Sequence, residues 1–335
     1  MGNKAIGPLS LSIALERWPV RVPFRITGHT WEHLDVIVVA LGAHGKTGRG
    51  EGAGVYYRND VPALMPAQIE RVRAQIEAGI SRESLRALLP AGGARNAIDC
   101  ALWELEAQLT GRPVWQAAGL DAPQPLITTM TCGAEAPETM AALARSYPDA
   151  RAIKLKLTGD PIDTDRVRAV RHALPNVWLG VDANQGLTRA SLERLIPTLV
   201  DARVALIEQP VRIGEEALLD GLRSPIPIAA DESVQSLADV SSLAGRFQVM
   251  NIKLDKCGGL TEGLAMARAA RDLGLDVMVG NMLGTSLAMA PAFVLGQLCK
   301  VVDLDGPLLL KTDRAATVRY RDGTIECPPE LWGGG

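Results

Sequence analysis

In the second half of this 335-residue chain, ionisable residues recur at the ends of short apolar runs. Ala152-Ile153-Lys154-Leu155-Lys156-Leu157 carries two lysines. Leu179-Gly180-Val181-Asp182, Leu206-Ile207-Glu208 and Ile228-Ala229-Ala230-Asp231 each end on a carboxylate. Asn251-Ile252-Lys253 ends on a further lysine, and Val302-Asp303-Leu304-Asp305 on two more acids. Asp182, Glu208 and Asp231 are hard oxygen donors with no His or Cys beside them. That set suits Mg²⁺, which keeps its other positions for water or substrate oxygens. Any one carboxylate alone reads more readily as a helix cap or a loop ion pair; three in register reverse that reading.

The lysines suggest the chemistry. On a strand, Lys154 and Lys156 share one face. Alone they would read as a solvated face, because lysine is rarely buried unpaired. A substrate carbon held between Lys156 and Lys253 could lose a proton to one and regain it from the other, which inverts a stereocentre. A metal, with Lys154 as a second cation, would stabilise the charge that develops on a neighbouring carboxylate. Lysine is a poor base near neutrality, so nearby positive charge and desolvation are expected to lower its pKa. Taken alone, Lys253 reads equally as an exposed strand-end residue or a Schiff-base lysine. Asp303 and Asp305 lie on one face and would hold a cation, most simply a substrate ammonium group. A plain strand-end turn before Gly306-Pro307 fits them equally well.

These residues need a scaffold that brings strand ends together. Apolar runs near 125–132, 152–157, 177–182, 203–208, 226–231, 248–253, 276–280 and 300–304 alternate with amphipathic stretches. The spacing, roughly 22 to 28 residues, suits a closed parallel barrel with an outer ring of helices and catalytic groups at the strands' C-terminal ends. The second and sixth strands are then opposite, so Lys156 faces Lys253 with the three acids along the arc between. An open doubly wound sheet is the alternative, but no G-x-G-x-x-G turn follows the first strand.

Residues 1–119 read as a separate α+β unit. Residues 8–16 and 34–42 form strands, 66–79 and 95–109 form helices, and Phe24–Trp31 forms a polar-aromatic loop between the strands. A Gly-rich link through Gly45, Gly48, Gly50, Gly52 and Gly54 is expected to carry a third strand at its start; its Gly48-Arg49-Gly50-Glu51-Gly52-Ala53-Gly54 stretch lacks the Lys-Ser/Thr of a phosphate loop and reads as a mobile lid. The barrel spans 120–305, and 306–335 is expected to return to the first unit. Composition fits a soluble enzyme: 47% hydrophobic, 22% charged, net charge −3. There is no basic excess to suggest nucleic acid, and no apolar run long enough for a membrane span. The five cysteines are scattered without a C-x-x-C pair, which fits a reducing cytoplasm.

Five motifs carry a resemblance: Lys154-x-Lys156, Asp182-x-Asn184, Glu208-Gln209-Pro210, Asp231-Glu232-Ser233, and Lys253 followed by Gly258-Gly259. Through them the chain resembles the muconate-lactonizing subgroup of the enolase superfamily over nearly its whole length. The resemblance implies an α/β fold, with an N-terminal α+β capping domain on a modified TIM barrel, (β/α)7β. It also implies one Mg²⁺ and abstraction of a proton α to a carboxylate. Asp303-x-Asp305 and Met282-Leu283-Gly284-Thr285-Ser286 look like those of dipeptide epimerases. In that family the D-x-D holds the dipeptide's ammonium group, and the lysines corresponding to Lys156 and Lys253 are the acid/base pair. Thr131, Met282, Trp31 and His29 are the further expected substrate contacts.

Asn281 stands where a Cys or another small residue is expected. Glutamate-specific members often carry an Arg in the first capping loop. Here the nearest positions read Gly28-His29-Thr30-Trp31, and the only loop arginine is Arg25. Trp31 could instead line an apolar pocket, and His29 or His33 could bind a carboxylate weakly or be exposed. N-succinylamino acid racemisation, o-succinylbenzoate synthesis and cycloisomerisation are the alternatives within the subgroup. A binding protein that keeps the metal site is a further one. The expected partner is a small-molecule substrate, with neither nucleic acid nor membrane, and the chain is expected to form a homo-oligomer.

Overall fold

In the computed structural model, which describes residues 5–26 and 28–334, the first unit begins with a long antiparallel hairpin. β1 (Ser10–Ile26) pairs with β2 (His29–Ala43) from Ser10 opposite Gly42 to Ile26 opposite His29. The pairing shifts register between Pro19 and Phe24, where Pro19 and Pro23 have no amide hydrogen to give the ladder. The stretch expected as a loop, Phe24 to Trp31, is therefore the twisted tip of a hairpin, with Phe24 opposite Trp31. Thr27 lies outside the described residues. Gly28, with φ of 76°, makes the reversal in a backbone region that favours glycine.

β3 (Lys46–Gly52) continues the sheet alongside β2, and this corrects the lid expected at Gly48–Gly54. Alternation puts Gly48, Gly50 and Gly52 on one face, where the backbone of a helix lies against them. A Cβ added to Gly50 would sit 2.0 Å from the carbonyl oxygen of Ala97. The glycines admit a helix at backbone distance; they do not loosen the chain. The expected helix over 66–79 is split into α1 (Met65–Glu70) and α2 (Arg73–Glu77). α3 (Arg82–Leu88) follows, its N-terminus capped by the Ser81 hydroxyl. α4 (Gly93–Thr110) is the helix on β3, ended by left-handed Gly111. Its Ile98, Leu102 and Leu105 are buried with Ile37, Val39 and Leu41 in a core of this unit's own.

α5 (Val114–Ala117) and β4 (Leu126–Ile127) lead into the barrel. Its strands in chain order are β5 (Thr129–Cys132), β6 (Ala152–Lys156), β7 (Trp178–Asp182), β8 (Leu206–Glu208) and β9 (Ile228–Ala230). Three more follow: β10 (Val249–Lys253), β11 (Asp276–Gly280) and β12 (Val301–Val302). They form one eight-stranded parallel sheet in that order. Outer helices α6 (Pro137–Arg145), α7 (Asp163–Ala173) and α8 (Arg189–Asp201) follow β5, β6 and β7. α9 (Leu254–Cys257), α10 (Leu260–Asp272) and α11 (Ser286–Gly296) follow β10 and β11. After β8 and β9 the chain makes only 3₁₀ turns, Glu216–Leu219 and Leu237–Leu243. Gly214, Gly221, Pro225 and Pro227 leave no room for a long helix in the first of these.

The seam between the first and last barrel strands is closed by side chains. The Leu304 amide donates to Thr128 Oγ1 at 2.9 Å and the Thr131 amide to Asp305 Oδ2 at 2.7 Å, while the Thr129 hydroxyl donates to Asp303. β13 (Arg319–Arg321) and β14 (Thr324–Glu326) then pair with β4 in a small antiparallel sheet. The tail runs on to the first unit, where the Trp332 indole donates to the Arg49 carbonyl at 2.9 Å.

Candidate active site

Strand alternation turns Lys154 and Lys156 inward, and both are buried. The next strands place Asp182, Glu208 and Asp231 in register beside them; Lys156 is opposite Asp182, and Asp182 opposite Glu208. One ligand atom from each of the three carboxylates lies within 4.8 Å of the others. The local supports are specific. The Asn184 amide donates to Asp182 Oδ1 at 2.9 Å, and Asn251 Nδ2 to Glu208 Oε1 at 2.7 Å. Gln209, at a positive φ of 34°, turns its carboxamide so that Oε1 accepts from the amides of Asp231 and Ser233.

The triad fits a divalent cation on one observation above others. Glu208 Oε2 is buried and accepts no hydrogen bond, the Lys154 ammonium standing 3.4 Å away. A buried orphan oxygen of this kind costs free energy unless a ligand satisfies it. Burial, then the nearby Asp182 charge, push the Glu208 carboxyl up to about 8. Burial also works to raise Asp231, but Lys253 and Lys256 hold it well below the carboxylate range.

Each lysine is held by an acid. Lys156 Nζ donates to Asp182 Oδ2 at 2.5 Å and to Asn184 Oδ1 at 3.1 Å. Lys253 Nζ donates to Asp231 Oδ2 at 2.6 Å, and Lys154 pairs with Asp303. The lowered lysine pKa values expected from the sequence are reversed here for Lys154 and Lys253. Burial works to lower both, but surrounding carboxylates, Asp303 first for Lys154 and Asp231 first for Lys253, raise them above the ordinary lysine value.

A cavity opens above these groups between the capping domain and the barrel mouth. Lys154, Lys156, Lys253, Asp303, Asp305 and Thr131 line its barrel side. Asp303 and Asp305 thus both close the barrel seam and face the cavity. Burial and the Asp303 charge push Asp305 up to about 6. Trp31 lines the capping side together with Phe24, Ile26 and Tyr56, while Met282 and Leu309 line it from the loops after β11 and β12. His29 does not line this cavity. Its ring stacks on Tyr56 at 4.4 Å and meets the edge of Trp31 at 4.2 Å, on the outer side of that wall. Arg25 does not line it either; it is largely exposed and 3.9 Å from Glu135.

Sequence reasoning passed over several residues here. Tyr57 lines the cavity and receives a hydrogen bond from Gln235 at 3.0 Å. Glu232 is buried with one oxygen unpartnered, and burial followed by the Asp231 charge raises its carboxyl to about 7. The adjacent pair Tyr56-Tyr57, just after the Gly-rich strand, was the available signal for the tyrosines.

A parallel barrel with a carboxylate triad at its strand ends is the arrangement of a metal-assisted enzyme. Residues 9–119 match the model of the mandelate racemase/muconate lactonizing enzyme N-terminal domain, and residues 138–333 that of the enolase C-terminal domain-like family. The chain belongs to the mandelate racemase/muconate lactonizing enzyme family of the enolase superfamily. It is 38% identical to the L-Ala-D/L-Glu epimerase of Escherichia coli over 92% of this chain and 97% of that one. It is 43% identical to an N-acetyl-D-glutamate racemase of Pseudoalteromonas over 73% and 78%. An enolase family member from Agrobacterium tumefaciens, with homology to dipeptide epimerases and bound to sodium and L-Ala-L-Glu, superposes with a TM-score of 0.94. It is 39% identical, covering 97% of this chain and 100% of that one. A dipeptide epimerase of Methylococcus capsulatus, complexed with Mg and L-Arg-D-Lys, superposes at 0.89 and 30% identity, covering 95% and 96%. Among the described residues no helix is long and apolar enough to cross a membrane.

Proposed function

We propose that this chain is a Mg²⁺-dependent dipeptide epimerase that inverts the α-carbon of the substrate's C-terminal residue. The observation that carries the reading is that Lys156, Lys253, Asp303 and Asp305 line one cavity, with the acid triad beside them. Asp182, Glu208 and Asp231 hold the ion. A divalent ion held there would supply positive charge to the substrate carboxylate. Lys156 and Lys253 then serve as the two bases: one takes the α-proton and the other returns a proton to the opposite face. Lys154 contributes a fixed positive charge beside the same carboxylate. Asp303 and Asp305 accept hydrogen bonds from the dipeptide's ammonium group. Trp31, Met282 and Thr131 shape the space for side chains. His29 acts at one remove, by buttressing Tyr56 and Trp31.

The relatives' names include glutamate substrates, whereas the described lining of this cavity offers aromatic rings and no arginine. A turnover screen in D₂O tests the reading and this point together. Dipeptides with acidic, aromatic and cationic C-terminal residues are incubated with enzyme and Mg²⁺. Deuterium should enter at the C-terminal α-carbon of at least one of them, and a chelator should stop it. No exchange with any dipeptide would sink the proposal.

A second reading, racemisation of an N-acylamino acid, is favoured by one observation. Asp303 and Asp305 are already engaged by Lys154, Thr129 and Thr131 at the seam, so they have a role that needs no substrate ammonium. Asp303→Asn with Asp305→Asn separates the two: dipeptide turnover is lost in one case, and N-acyl turnover is kept in the other.

A further inference from the structure

Asp231 is held by two ammonium groups that reach it from different sides. Lys253 approaches from the cavity, which it lines, and donates to Oδ2 at 2.6 Å. Lys256 reaches it from α9. Its side chain is 1% exposed and does not line the cavity. Its Nζ donates to Asp231 Oδ1 at 2.5 Å, to the Asp231 carbonyl at 2.5 Å and to the Asn251 carbonyl at 3.2 Å. All three donor positions of the ammonium are therefore used.

The turn that carries Lys256 is itself clamped. α9 begins directly after Lys253, so Lys256 stands one helical turn on. Next to it, Asp255 accepts from the amides of Ala53 and Gly54, each at 2.9 Å. The Cys257 and Gly258 carbonyls accept from Arg95 on α4. Gly258, with φ of 77°, closes the turn, and an added Cβ would meet the Arg95 guanidinium at 2.3 Å. The turn that carries Lys256 thus rests on the capping domain, whereas Lys253 projects into the cavity.

We propose that Lys256 is a positioning residue that fixes Asp231 in its ligand pose, so that an incoming divalent cation displaces Lys253 alone. Ion binding and release of a base would then be one event. The inference rests on reading Asp182, Glu208 and Asp231 as the divalent site. Two effects of Lys256 oppose each other: its charge repels a cation, and its three bonds hold the carboxylate. The holding effect dominates on this view, because partners of metal ligands commonly account for about 10- to 100-fold in affinity.

The test is Mn²⁺ binding to the full-length protein, read from the electron paramagnetic resonance of free Mn²⁺, without substrate or turnover. Wild type should bind one ion; if it does not, the metal-site reading itself fails. Lys256→Met should weaken binding about tenfold or more. Lys253→Met should leave it unchanged or tighten it, since a competing ammonium is gone. A folded Lys256→Met protein that binds as wild type does, or an equal loss in Lys253→Met, overturns the proposal. Circular dichroism establishes folding. Should Lys256→Met not fold, the comparison is made on Lys256→Gln, which keeps an amide donor and removes the charge. The same tenfold loss supports the proposal there, and wild-type binding overturns it.

Discussion

Buried polar groups at the barrel mouth are left with free atoms, whereas those along the seam between capping domain and barrel are saturated. At the mouth, Glu208 Oε2, Glu232 Oε2 and Asn251 Oδ1 find no partner; the one other such atom among the described residues is Gln235 Oε1, whose side chain reaches across to Tyr57. Along the seam, Glu51 accepts from the Thr285 amide at 2.8 Å and from Arg314 at 2.7 Å. Asp99 accepts from the amide and hydroxyl of Thr261, and Glu262 from Arg95 at 2.7 Å and the Leu237 amide at 3.0 Å. Both regions bury charge. Only one leaves room for a ligand to complete it, and orphan atoms of this kind are what a functional site tolerates. The seam fixes the ceiling over the floor; the mouth keeps exchangeable pairs.

The comparison can be broken at several points. Lys156→Ala and Lys253→Ala should each lower epimerisation about 1,000-fold or more, the scale of a lost general acid or base. Their melting temperatures should stay near wild type, and each variant should still exchange the α-proton of one enantiomer. Steady-state assays and thermal melts check both. Glu51→Ala should do the reverse. It leaves Arg314 and Thr285 short of a partner and should cost about 3 kcal/mol of unfolding free energy, by urea denaturation, with activity per folded molecule within a few-fold. Equal stability losses at Glu51 and Lys156 would erase the distinction.

Gly50→Ala forces a methyl group against the α4 backbone and should cost about 2 kcal/mol or more. A neutral result would restore the loose loop expected from sequence. A further effect is one of pH. Burial, with Asp60 adding to it, raises the Asp255 carboxyl to about 7, against about 3.9 in an unfolded chain. Between those values the folded state binds the extra proton. Its contribution to stability is therefore complete below about pH 4 and is lost as pH rises through about 7. Asp255→Asn should flatten that part of the curve, read as urea midpoints at pH 5 and pH 8.

The sequence by itself determined the strand-end chemistry. Alternation in Ile153-Lys154-Leu155-Lys156 puts both lysines on one face, and each acid of the triad ends its own apolar run, so local period and spacing were enough. The barrel followed from the repeat of those runs. What the tertiary structure decided depends on contacts between distant segments. The Gly48–Gly52 stretch is a rigid strand only because α4 lies against it. His29 leaves the cavity wall because Tyr56 offers its ring. Lys154 and Lys253 are more basic than an ordinary lysine because acids of neighbouring strands surround them. Lys256 gains a role only where α9 folds back on Asp231. Periodicity records which face a side chain takes; which groups share that face is fixed when the chain closes on itself, and pKa and pocket shape follow from those neighbours.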